Sequence, residues 1–174
     1  YITCVTILLL INVVVASNFR VSPEVVERIR QEKGEKVVQR LMLWEQLINQ
    51  NQNHSDLDKL RLANQFFNQN AHYVADEDVW AKRDYWATPL EFIVKSAGDC
   101  EDYTIAKYFT LKKMGVPISK LRLTYVKALE LNQAHMVLTY YENPDSEPLI
   151  LDNLKPEIRY ASERTDLVPV YSFN

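Results

Sequence analysis

Between Ser22 and Asn70 apolar residues return every three or four positions, whereas from Leu121 onward they gather into short runs rich in branched and aromatic side chains. The first pattern predicts three helices. Ser22 caps the first, with Pro23 and Glu24 in its opening turn, and Gly34 ends it. The second runs from Glu35 to about Asn49 on Val37, Val38, Leu41, Trp44, Leu47 and Ile48, and the polar stretch to Ser55 follows as a loop. Ser55 or Asp56 caps the third, whose buried stripe is Leu57, Leu60, Leu62, Ala63, Phe66 and Phe67, up to Asn70. From His72 to Thr88 the period is lost while aromatic and acidic residues accumulate, which predicts an ordered loop. Pro89 opens a short helix to Val94, and Lys95 to Asp99 is a turn around Gly98. A helix from Cys100 to Met114 buries Tyr103, Ala106, the Lys107 methylenes, Phe109 and Leu111 in some combination, and stops at Gly115 before Pro117. Strands are expected at Leu121–Leu129, Ala134–Tyr141 and Leu149–Leu151, the last two joined through the turn Asn143-Pro144-Asp145. Helices first and strands later make an α+β domain with an antiparallel sheet.

One apolar stretch has no such partner pattern. Cys4 to Ala16 carries no charge and has the length of a signal-peptide core, too short for a comfortable membrane span, with Val14 and Ala16 placed for cleavage before Ser17. Residues 1–16 are therefore expected to be a leader or short anchor, with a buried first strand or helix of the mature domain as the alternative, and 17–174 a single domain of an exported, periplasmic protein. Removal of the leader takes Cys4 with it, so Cys100 becomes a lone thiol in an oxidising compartment, where such a thiol points to reactivity. A formal net charge of -3 gives no basic field for nucleic acid, and three glycines in the whole chain leave no phosphate-cradling loop.

The remaining chemistry converges on Cys100. At a helix start, free backbone N–H groups and the helix dipole favour a thiolate, so its pKa is expected to fall. His135, on a strand expected beside that helix, is the natural proton acceptor, and Asp152, at the end of the next strand, can orient the imidazole. Each residue alone has a plainer reading, as a buried hydrophobe, a packed strand histidine and a turn former; the arrangement is what points to a nucleophile, base and orienting acid. His54 and His72 fall in polar or loop contexts and read as surface. Around the nucleophile, Asp99, Glu101 and Asp102 set up a conflict, because clustered carboxylates oppose thiolate formation. A hard cation removes it: Ca²⁺ takes about six to eight oxygen ligands, and Asp76, Glu77 and Asp78 of the aromatic stretch supply further ones if that stretch folds over the helix start. Trp80, Tyr85 and Trp86 in the same stretch are candidates for a substrate or partner surface, with packing as the alternative.

The blocks Asp84-Tyr85-Trp86-Ala87-Thr88-Pro89, Gly98-Asp99-Cys100-Glu101-Asp102-Tyr103, Leu121-Arg122-Leu123-Thr124-Tyr125-Val126, Ala134-His135-Met136-Val137-Leu138 and Leu151-Asp152-Asn153-Leu154 resemble the bacterial transglutaminase-like cysteine proteinases. The resemblance implies a papain-like or transglutaminase-like core, a triad of Cys100, His135 and Asp152, and calcium positions at Asp99 and Glu101. It also implies a substrate class, large surface adhesins cut near a pair of alanines in their N-terminal region to release the cell from biofilm. The partner it implies is the periplasmic domain of an inner-membrane cyclic-di-GMP receptor, which sequesters the protease. Acyl transfer to an amine by the same triad, as in a transglutaminase or amidase, and a non-catalytic calcium-dependent binding module are the competing readings.

Overall fold

The computed structural model describes residues 18–174, so the expected leader and Cys4 lie outside the described residues. Three helices come first: α1 (Pro23–Lys33), α2 (Glu35–Gln50) and α3 (Asp56–Asn70). Their ends are set by local chemistry. The Ser22 and Ser55 side chains accept from the N–H groups of Val25 and Asp58, and Gly34, at φ +86°, makes the left-handed bend that separates α1 from α2. Val38, Leu41, Trp44 and Ile48 of α2 and Leu60, Ala63 and Phe67 of α3 form buried stripes at helical spacing.

The segment expected as a loop holds two short elements, β1 (His72–Tyr73) and α4 (Asp76–Trp80). Two and five residues are less than the period that a sequence pattern needs to register. There follow α5 (Pro89–Lys95), β2 (Ala97–Gly98), which pairs in parallel with β1, and α6 (Cys100–Lys113). A capping box, in which Thr88 and Glu91 bond each other's backbone N–H groups, starts α5. Almost every position of α6 from Cys100 to Leu111 is buried; Phe109, expected inside, is 41% exposed. Buried on all sides, this helix is the axis of the molecule, with α2, α3 and α5 on one flank and the sheet on the other.

The sheet has five antiparallel strands in the order β6-β5-β4-β3-β7, with β3 (Leu121–Ala128), β4 (Gln133–Tyr140), β5 (Leu149–Leu151), β6 (Arg159–Tyr160) and β7 (Leu167–Phe173). Leu121, Leu123, Met136, Leu138, Tyr140 and Leu151 join the helical core, while Val126, Val137 and Ile150 form a smaller cluster on the opposite face. The three strands read from the sequence are present to within a residue. The pattern did not reveal β7, because it is an exposed edge containing Pro169 and its pairing with β3 slips at Tyr125/Val126. No helix among the described residues is long and apolar enough to cross a membrane.

Candidate active site

The start of α6 is fixed from both sides. Upstream, the β1–β2 ladder anchors the chain through Val74 N–H to Gly98 O at 3.0 Å, and Asp99 caps the helix by accepting from Glu101 N–H at 3.2 Å. Gly98 has no room for a side chain, since a Cβ there would run into the Asp102 carboxylate. Cys100 thus stands at the first helical position, a free cysteine with 7% exposure.

Its environment differs from the expectation of a lowered pKa. Burial pushes the thiol up, and Glu101 adds to this by charge and by hydrogen bonding, outweighing the N–H of Met136, which acts in the opposite sense. The thiol donates to Glu101 Oε2 at 2.8 Å, so its proton is held by the neighbouring carboxylate rather than by His135.

His135 lies on β4, against which α6 packs, and the Met136 amide that acts on the sulfur belongs to the next residue. The imidazole is 2% exposed, and its Nε2 sits 2.8 Å from Asp152 Oδ1. That bond commits one ring nitrogen and leaves Nδ1 as the atom available to a thiol. Asp152 follows β5, the strand beside β4. Both of its carboxylate oxygens are occupied: Oδ1 also accepts from Leu154 N–H at 3.1 Å, and Oδ2 accepts from Arg164 Nη2 at 2.7 Å. Burial alone raises this carboxyl, but His135, Arg164 and the Leu154 amide overcome it and bring it down to about 2. Its main-chain carbonyl is held as well, by Asn68 Nδ2 at 2.8 Å and Lys107 Nζ at 3.1 Å. Lys107 buries its amine along with its methylenes, and burial lowers it to about 7 despite the charge of Asp152. Arg164 and Asn68 were not singled out by the sequence, and Lys107 was read only as burying its methylenes. Arg164 falls in an aperiodic stretch, and nothing local marks it as buried.

The acidic residues divide into two sets. Asp76, Asp99 and Asp102 each bring an oxygen within 4.8 Å of the others, whereas Glu101 groups with Asp99 and Cys100. Asp78 is exposed and belongs to neither set; α4 turns it outward while Asp76 turns in. One oxygen of Asp76 accepts from Tyr85 N–H and one of Asp102 from Ala87 N–H at 2.7 Å, which folds the aromatic stretch over the helix start. The other oxygens, Asp76 Oδ1 and Asp102 Oδ2, are buried with no hydrogen-bond partner. Burial raises both Asp99 and Asp102, the latter to about 6; the charges of Glu101 and Asp76 then raise Asp99 further, and Asp76 acts on Asp102 too. Orphaned, mutually repelling carboxylate oxygens are the donor set a hard cation takes, so the residues fit Ca²⁺. The Asp99–Cys100–Glu101 set, with its sulfur and a carboxylate already bonded to the thiol, fits it less well.

Of the three aromatic candidates, Trp80 and Tyr85 are half-buried and pack on each other at 4.7 Å, with the Tyr85 hydroxyl donating to Glu91 at 2.8 Å. Large rings next to a helical core gain more from burial than from display. Trp86 alone is exposed, at 45%, and stacks on Phe173 of β7 at 6.2 Å.

Residues 44–167 match the family described as the bacterial transglutaminase-like cysteine proteinases. Among solved structures, Legionella pneumophila LapG superimposes with a TM-score of 0.78 at 47% identity, covering 88% of this chain and 84% of that one. An EGTA-treated form of the same protein gives a TM-score of 0.77 at 47% identity, over 88% and 82%. A calcium-bound form gives 0.78 at 47%, over 88% and 84%. No curated protein matches the chain. The helical flank, the buried helix that begins at a cysteine and the antiparallel sheet behind it form a papain-like, transglutaminase-like core. With a family match over most of its length and 47% identity to a solved relative across 88% of it, the chain belongs to the bacterial transglutaminase-like cysteine proteinase family.

Proposed function

We propose that this protein is a calcium-dependent endopeptidase of the periplasm that cuts large surface adhesins near their N-terminal region, using Cys100 as nucleophile, His135 as base and Asp152 as orienting acid. The observation that carries the reading is the buried His135–Asp152 pair, 2.8 Å apart, with His135 on β4, the strand against which the helix of Cys100 packs. The adhesin substrate, and the receptor domain that withholds the protease from it, rest on the motif blocks shared with the family. The periplasmic assignment rests on the apolar segment ahead of Ser17.

Cys100 gives its proton to His135 Nδ1 after turning from Glu101, and the sulfur attacks the scissile carbonyl. The Cys100 N–H, at the first helical position, has no intrahelical acceptor and donates to the oxyanion. His135 passes the proton to the leaving amine, and an acyl group remains on the sulfur. Water deprotonated by His135 then releases it. Asp152 keeps the ring in the tautomer with its proton on Nε2 throughout. Asp76, Asp99 and Asp102 would hold Ca²⁺, whose charge offsets the carboxylates beside the nucleophile.

The test is the mass of the products from an adhesin N-terminal fragment. The reading expects two fragments whose masses sum to substrate plus water, and none with Cys100→Ala. Glutamine–lysine crosslinks without cleavage, or cleavage by Cys100→Ala, would overturn it.

A further inference from the structure

Arg164 is a guanidinium with 2% exposure, in the segment between β6 and β7, far in sequence from both Cys100 and His135. Its backbone is pinned at both ends of a tight turn, by its own N–H to Ala161 O and by Leu167 N–H to its carbonyl, each at 3.0 Å. The residue lies on the face of the sheet away from the helices, with Val126, Ile150 and Leu167. There Nη2 reaches Asp152 Oδ2 at 2.7 Å and Asp166 Oδ2 at 2.9 Å, while Nε reaches Asp166 Oδ1 at 2.9 Å. Asp166 is itself bridged to Lys155 Nζ at 3.0 Å. Nη1 is buried without a partner.

Such a cation is a poor device for stability. Buried ion pairs lose much of their Coulomb gain to desolvation, and apolar residues of similar volume often do as well. What the arrangement supplies is orientation. A carboxylate held at one oxygen can rotate about its Cβ–Cγ bond; held at both, it cannot. Two parallel N–H···O bonds from Arg164 to Asp166 fix the plane of the guanidinium, and the remaining contact fixes Asp152 Oδ2. Oδ1 is then directed at His135 Nε2, the ring keeps its proton on that nitrogen, and the Nδ1 lone pair is left for the thiol.

We propose that Arg164 is a positioning residue for the reaction, acting through Asp152 to hold His135 in the tautomer and rotamer that accept the Cys100 proton. The proposal rests on the catalytic reading above, and its test separates the two. Histidine-selective ¹⁵N spectra report the ring tautomer whether or not the protein cleaves anything, and His54 and His72 are both exposed and removable for assignment. With the ring neutral, the wild type should show a single Nε2–H tautomer at His135, and Arg164→Met should show a mixture or an exchange-broadened ring. On the adhesin fragment, Arg164→Met should lower kcat roughly 100-fold, the cost of a misplaced catalytic group, with KM within about twofold. Arg164→Lys keeps the charge but cannot serve both carboxylates with a planar fork, so it should recover little of kcat. If Arg164→Met does not fold, Arg164→Lys carries both readouts, with the same expected mixture and loss of kcat. A His135 spectrum and kcat unchanged in the folded variant would overturn the proposal while leaving the triad intact. A changed tautomer in a protein that shows no Cys100-dependent cleavage would leave the positioning role standing and sink the proteolytic reading.

Discussion

Two buried carboxylate sites stand beside α6, and the chain completes only one of them. At Asp152 both carboxylate oxygens and the main-chain carbonyl have protein partners. At Asp76 and Asp102 one oxygen of each organises the segment above the helix start, and the other is buried with nothing to bond. The first site is built from cation and amide donors, the second from acids that repel one another. A preorganised site holds its geometry unaided, whereas a site of like charges gains it from a counterion. On this account the His135–Asp152 pair is permanent machinery, and the acidic cluster is the part of the active centre that responds to its surroundings.

Removing the permanent part should have the largest effect. Cys100→Ala, His135→Ala and Asp152→Ala should each cut turnover by at least about a thousandfold, with Asp152→Asn keeping a trace, as kinetics on an adhesin fragment will show. Near-normal turnover in the cysteine or histidine variant would refute the assignment. Next comes the responsive part. Chelation with EGTA should stop cleavage and Ca²⁺ should restore it, while Mg²⁺, which demands a tighter octahedral shell, should substitute poorly. Calorimetric titration should find binding lost in Asp102→Asn and in Gly98→Ala, whose new methyl displaces that carboxylate, and weakened much less in Glu101→Ala, which faces the thiol. Equal losses at Glu101 and Asp102 would break the proposed ligand set. Saturating Ca²⁺ should also raise the melting temperature; at a hundredfold excess over Kd the gain is about 2.7 kcal/mol.

The smallest effect expected is in the pH dependence of folding. Lys107 is held down to about 7 from 10.5, so between those values the unfolded chain binds more protons than the native one, and this group makes stability rise with pH across that window. Urea unfolding of Lys107→Met should show a flatter slope there; an unchanged slope would mean that the amine keeps its proton inside the fold. Asp152, held down to about 2, acts differently. Its contribution is present above about 3.8 and disappears as pH falls through 2, so it leaves the neutral range untouched.

How far each site could be read from the sequence follows the same division. Helix ends were legible because their signals are local: Ser22 and Ser55 cap, Gly34 terminates, and each lies within a turn of what it affects, whereas the Thr88 cap went unread at the end of an aperiodic stretch. Cys100, His135 and Asp152 stood out because chemically distinctive residues fell at the ends or openings of predicted elements. The proposed cation ligands were harder. Glu101 and Asp102 look alike in the sequence, but Asp102 lies three residues from the cap Asp99 and on its side of the helix, while Glu101 turns to the sulfur. Asp76 is inward and Asp78 outward because of a helix of five residues, too short to show a period. Arg164 was invisible, since its partners Asp152 and His135 are distant in sequence and its own segment has no pattern.

The central claim, that His135 and Asp152 serve Cys100 as one unit, is tested most directly by a double-mutant cycle on turnover of the adhesin fragment with His135→Ala, Asp152→Asn and the double variant. If Asp152 acts only through the imidazole, adding Asp152→Asn to His135→Ala should slow the enzyme no further. If the two losses instead multiply, or if Asp152→Asn alone turns over at the wild-type rate, the pair does not work as a unit and the claim is contradicted.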